Sequence, residues 1–211
     1  MTDILDRYGG ELLGGLWDHV VLTVIAVGVG FLLSLVLTLL VVRWRRLGGP
    51  VFAVTGTMYT IPSLALFALL VPVTGLSVLT AEIGLVSYTL LILVRNIVAG
   101  LDGIDPDILE AADGMGQTRI QRLVGVELPL AVPLVIAGLR IATVTTIGLV
   151  MVTAVIGEGG LGQVLLRGFT LRHWDLVYAA LAVMVALAVV ADLLLIGLGR
   201  LLTPWQRRGR A

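Results

Sequence analysis

The chain has 211 residues, 58% hydrophobic and 13% charged, with a formal net charge of zero. An ordinary soluble domain carries about 25% charged residues, so this composition cannot furnish a water-facing surface, and a neutral chain is a poor match to nucleic acid. It contains no cysteine and no lysine, which excludes a disulfide framework or thiolate chemistry and a P-loop, whose lysine reaches the nucleotide phosphates; no cofactor is expected, and any ATP must be bound by another chain.

The opening residues, with Asp3, Asp6, Arg7 and Glu11, are acidic, and the apolar run behind them is too long for the core of a signal peptide. Residues 1–18 are therefore read as an external N-terminal segment. From His19 to Val42 there is no Asp, Glu, Lys or Arg, and roughly 20 apolar residues suffice to cross ~30 Å of hydrocarbon. A first span is expected at about 19–42. Within it Gly28, Gly30 and Ser34 have the spacing of close helix–helix contacts.

The run from Val51 to Ala81 is also free of charge. It supplies a second span at about 51–71, where Pro62 removes a backbone donor and should kink the helix. A third is expected at about 77–99, with Glu82 near its outer end in reach of water and Arg95 near its inner end. A long polar segment, 101–128, precedes a fourth span at about 129–155 and a fifth at about 176–199; 200–211 form a tail. The 19–199 stretch thus reads as one all-α membrane domain. Arginine fixes its orientation. Arg43, Arg45, Arg46, Arg119, Arg122, Arg200, Arg207, Arg208 and Arg210 flank one side, against Arg7, Arg167 and Arg172 on the other. The N-terminus is placed outside and the C-terminus in the cytoplasm.

The polar segment is the most informative part. Asp105 is a good N-cap and Pro106 a good first helical residue, with acidic residues following. Glu110, Ala111 and Ala112 continue the helix, the alanines offering a low surface to a partner. Gly116 suits a stop where the chain turns through a left-handed conformation, and a linker then leads to Leu128 and Pro129.

Glu110-Ala111-Ala112, Gly116 four residues on, then Val126, Leu128 and Pro129 resemble the coupling loop of binding-protein-dependent ABC importer permeases of the type I fold, with valine in place of the usual isoleucine at 126. Ile61-Pro62-Ser63-Leu64-Ala65, Val94-Arg95-Asn96 and Ile156 to Gly162 resemble the osmoprotectant branch, which handles glycine betaine, choline and carnitine. The glycine-rich turn also occurs in amino-acid and methionine permeases, which keeps that substrate class open as the alternative. The resemblance implies a non-catalytic subunit of a bacterial plasma (inner) membrane transporter. Its implied partners are ATP-binding cassette subunits, a second permease copy or paralogue, an external substrate-binding protein and the lipid bilayer.

Other signals carry less. Gly157, Gly159 and Gly162 match G-x-G-x-x-G and Gly160 lies among them, but they follow a membrane helix rather than a strand, so they read as a tight external turn and not a dinucleotide site. His19 and His173 sit at outer edges without clustered acids, and no metal site is expected. At membrane depth a charge must be paired or wet: Asp192 is level with Arg140 or Arg95, as a structural pair or as part of the pathway. A secondary transporter would need more such acids and an inverted repeat, and a scaffold would leave the loop unexplained. Aromatic residues in the spans (Phe31, Phe52, Tyr59, Phe67, Tyr88, Tyr178) are scattered along the sequence and form no cage.

Overall fold

The computed structural model describes residues 2–205, with side chains from Arg7 onward. The side chains of Asp3 and Asp6, and Arg207, Arg208 and Arg210 of the orientation argument, lie outside these. The described chain is helical: α1 (Thr2–Arg43), α2 (Gly48–Thr60), α3 (Ser63–Thr74), α4 (Val78–Asp102), α5 (Pro106–Gly114), α6 (Arg119–Arg122), α7 (Leu128–Val150), α8 (Leu161–Thr170) and α9 (Trp174–Leu202). Four stretches are long and apolar enough to cross a membrane, and five if the bent pair α2–α3 is one span.

The ends of the helices settle that count. Arg45, just past the end of α1, holds Asp102, the last residue of α4, at 2.6 Å. The chain therefore leaves α1 and leaves α4 on one side. At ~1.5 Å per residue α4 is about 37 Å long, so it begins on the other side, and α2 and α3 together make the crossing between. Five crossings follow.

α4 is the axis of the molecule: α1, α2, α3 and α7 all pack on it, and Leu85, Leu93, Val94 and Ile97 along it are buried. Close approach is bought with small residues. A Cβ on Gly30 would overlap Thr89, one on Gly84 would overlap the Phe67 ring, and one on Gly138 would overlap Asn96. Ser34 is also buried, as the small-residue spacing predicts, whereas Gly28 has open space around it.

Helix α1 runs unbroken through Thr2–Arg43, 42 residues and about 63 Å, so the first span and the residues before it form one helix. Two expectations need correction. Pro62 does more than kink a helix: α2 and α3 are separate, bent by 99° at Ile61–Pro62. Ile61 is extended (φ −66°, ψ 127°), the conformation that a following proline favours. Finally, the linker between the polar helix and α7 is itself helical. Thr118 and Gln121 form a reciprocal capping box, α6 follows, and a π turn at Leu123–Glu127 runs straight into α7. The π turn ends just before Pro129, which falls in the first turn of α7, where a proline is tolerated, and Pro133 lies inside α7 without such a turn.

Candidate functional site

The loop at 101–128 forms as its residues dictate. The Asp105 carboxylate accepts the Asp107 N–H at 3.0 Å, and Pro106 takes the first helical position where no N–H is needed. After α5, Gly116 has φ +74°, and Gln117 N–H returns to the Ala112 carbonyl at 3.3 Å, a left-handed helix stop. The two alanines divide: Ala111 faces outward with Glu110, while Ala112 is buried against the protein's own core. Around them Ile108, Met115, Ile120 and Val124 are exposed, Ile120 to 75%. Exposed apolar side chains gathered beside charged ones are a feature of surfaces that meet a protein or a membrane.

Arg122 ties this surface to the membrane. Its Nη1 donates to Asp113 of α5 at 2.5 Å and its Nε to Glu127 of the π turn at 2.8 Å. One guanidinium thus spans the polar helix and the foot of α7, with Glu127 largely sheltered. In the sequence Arg122 marks only sidedness; Asp113, Arg122 and Glu127 carry a charge pattern, but their convergence depends on the turn at Gly116. Leu128 and Pro129, both half-buried, begin α7.

Twelve residues further along α7, about 18 Å at ~1.5 Å per residue, Arg140 meets Asp192 of α9 in a bidentate pair, Nε–Oδ1 2.7 Å and Nη2–Oδ2 2.9 Å. Charge-assisted paired bonds of this geometry are among the strongest available to side chains. The structure selects Arg140 from the two expected partners. Arg95 is exposed and takes no ion-pair partner among the described residues.

The break at Pro62 sits at mid-depth. The Tyr88 hydroxyl donates to the Ile61 carbonyl, and Tyr88 lies about 21 Å along α4 from Asp102 and about 15 Å from Val78 at ~1.5 Å per residue. The aromatic residues are less scattered than the sequence indicates: Tyr59 and Tyr88 stand edge-to-face, centroids 5.9 Å apart. Their 29-residue separation in sequence hides this.

On the outer side the glycine turn is a structural clasp. Gly157, Gly159 and Gly160 have φ +88°, +127° and +50°. A side chain on Gly160 would strike the Gly15 carbonyl and His19 backbone of α1, and one on Gly162 would strike Met151. Gln163 Nε2 closes the turn onto the Ala154 and Glu158 carbonyls, both at 3.2 Å. His19 is not at an edge but fully buried, its Nε2 donating to the Ile147 carbonyl at 2.9 Å. Arg167 of α8 holds Glu11 of α1 at 2.8 Å. α8 fills the outer connection between the fourth and fifth spans; buried Leu161, Val164 and Gly168 opposite exposed Leu166 and Arg167 are the helical signal that identifies it. Glu82 likewise departs from expectation: both carboxylate oxygens are shielded from solvent without a hydrogen-bond partner among the described residues.

Comparison with known proteins gives a consistent result. The family model described as the binding-protein-dependent transport system inner membrane component matches residues 26–208. The glycine betaine/carnitine/choline transport system permease protein OpuCD of Bacillus subtilis (strain 168) is 39% identical over 201 residues, covering 95% of this chain and 88% of that protein. The osmoprotectant import permease protein OsmW of Salmonella typhimurium is 38% identical over 200 residues, covering 92% and 93%. The choline transport system permease protein OpuBB of Bacillus subtilis is 32% identical over 204 residues, covering 97% and 94%. Among solved structures, a chain of the inward-facing MetNI methionine ABC transporter superposes with a TM-score of 0.80 at 23% identity, covering 91% of this chain and 96% of that one. At that identity the likeness speaks for the fold alone.

Proposed function

Given that the chain belongs to the family of binding-protein-dependent transport system inner membrane components, we propose that it is the permease of an importer for osmoprotectants such as glycine betaine, choline and carnitine. The observation that carries the substrate reading is the set of near-full-length relatives at 31–39% identity, whose names all specify these solutes or osmoprotectants as a class. The subunit is non-catalytic, sits in the bacterial inner membrane, and works with a separate ATPase and an external binding protein.

In this reading two permeases, copies or paralogues, enclose a path at their interface, embedded in the lipid bilayer with the N-terminus outside. Each presents α5 to a groove on its ATPase, with Glu110 and Ala111 facing the partner and Ile108, Met115 and Ile120 supplying the apolar contact. Closure of the ATPase pair on ATP displaces α5. Arg122 passes the displacement to Glu127, the π turn and α7 follow, and the Arg140–Asp192 pair obliges α9 to move with α7. The resulting rigid-body shift exposes the path alternately to the two sides.

The test is uptake by the complete complex in proteoliposomes, with labelled glycine betaine, choline, carnitine and methionine offered in turn. Uptake of at least one ammonium solute and no methionine is expected. Methionine uptake without any of the three would refute the substrate assignment while leaving the permease role intact.

A further inference from the structure

The break between α2 and α3 leaves backbone groups without partners at a depth where they are expensive. Pro62 has no N–H, and the first bond back from α3 is Leu66 N–H to the Pro62 carbonyl at 3.0 Å. The carbonyls of Tyr59 and Thr60, at the end of α2, therefore receive no backbone donor from α3. Tyr59, Thr60 and Pro62 are also exposed, Tyr59 to 39%. Irregular backbone at membrane depth does not face lipid; it is buried in protein or lines a water-filled cavity. Here the chain itself does not bury it. This face of the α2–α3 elbow therefore borders the aqueous path or the second permease across it.

The chemistry of the elbow is narrow. No Asp, Glu, Lys or Arg occurs from Leu47 to Ala81, so it holds no fixed charge. What it offers is the π face of Tyr59 and the carbonyl oxygens at the end of α2, both electronegative. Tyr88 keeps that ring in place. Its edge-to-face contact orients Tyr59, and its own hydroxyl is anchored on the Ile61 carbonyl, so neither ring can turn freely. A surface that is electronegative yet uncharged attracts a large, weakly hydrated cation through cation–π and carbonyl contacts. It does so without the trap that a carboxylate would set.

We propose that the Tyr59 ring, braced by Tyr88 at the α2–α3 elbow, is a transient binding station for the quaternary ammonium group of the solute in transit. This rests on the osmoprotectant reading above. The weakness of such a station suits a pathway, where a tightly held solute would not leave.

The experiment uses the complete reconstituted complex with labelled choline as probe. Tyr59→Leu should lower kcat/KM for choline roughly two- to thirtyfold, the span of cation–π strengths from exposed to desolvated sites. Stimulation of ATP hydrolysis by the loaded binding protein should persist, which shows that the variant is folded and assembled. Tyr59→Phe should keep most of the transport, and phenylalanines of increasing fluorination at position 59 should reduce it stepwise, because fluorine drains the ring face while barely changing its size. Choline uptake by Tyr59→Leu equal to wild type, or no dependence on fluorination, overturns the station alone. A wild-type complex that carries no ammonium solute overturns the substrate reading and the station with it.

Discussion

Of the prolines that fall in or between helices of this protein, Pro62 and Pro129 have opposite results. At Pro62 the chain breaks: Ile61 is extended, and α2 and α3 diverge by 99°. At Pro129 it does not: Leu128 stays helical (φ −61°, ψ −48°), and the π turn before it runs on into α7. The residue is the same, so the difference lies in what surrounds it. The break is held open by a partner for the freed carbonyl, Tyr88, and by Phe67 of α3 lying over Gly84. The unbroken helix has the Thr118–Gln121 cap at its start and Arg122 bonded to Glu127 within the π turn itself. Proline removes one donor in each case; neighbouring groups decide whether that yields an elbow or a strut.

The comparison is broken most severely by putting an elbow into the strut. Val124 is in the π turn and 60% exposed, so Val124→Pro sacrifices little packing but costs about 3 kcal/mol or more of local helix. Uptake should be abolished, with the protein still inserted and ATP hydrolysis no longer responsive to loaded binding protein. Retained uptake would mean that α6 and α7 need not move as one body.

A smaller effect is expected where the strut hands its motion on. Arg140→Leu leaves Asp192 unpaired at membrane depth, so the melting temperature in detergent should drop and uptake should fall. The double variant Arg140→Leu with Asp192→Leu removes the orphaned charge, and stability should recover, since replacing both members of such a pair is often neutral. Uptake should stay low. A single variant that melts with the wild type would show that the pair has no structural role.

Least disruptive is Pro62→Ala. If neighbours rather than the proline sustain the elbow, stability should shift by about 1 kcal/mol or less and uptake should persist. Fusion of α2 and α3 into one straight helix, visible as loss of crosslinking between cysteines placed at Tyr59 and Tyr88, would restore the proline as sole cause.

Much of this was legible in the sequence, and what was not has a common reason. The helix at Asp105, the stop at Gly116 and the small-residue contact of Gly30 are set by neighbours in the chain or by the spacing of a single helix. Asp192 with Arg140 could be narrowed by depth alone. The elbow looked like a kink because its sustaining hydroxyl lies 27 residues away. The Tyr59–Tyr88 pair, the burial of His19 and the shielding of Glu82 each depend on where another helix passes. The glycines of the outer turn stand out in the sequence, but their partner, Gly15 to His19 of α1, lies more than a hundred residues away.

That clasp has a mechanical consequence. On the outer side α1 is joined to the glycine turn by backbone contact at Gly160, to α7 by His19, and to α8 by Glu11. Three elements from opposite ends of the chain are thereby riveted into a single rim. A rim so fastened has no seam of its own to part. In the proposed pairing of two permeases, an outward-facing gate would therefore form where one subunit's rim meets its neighbour's, its width governed by how far two stiff collars tilt away from each other.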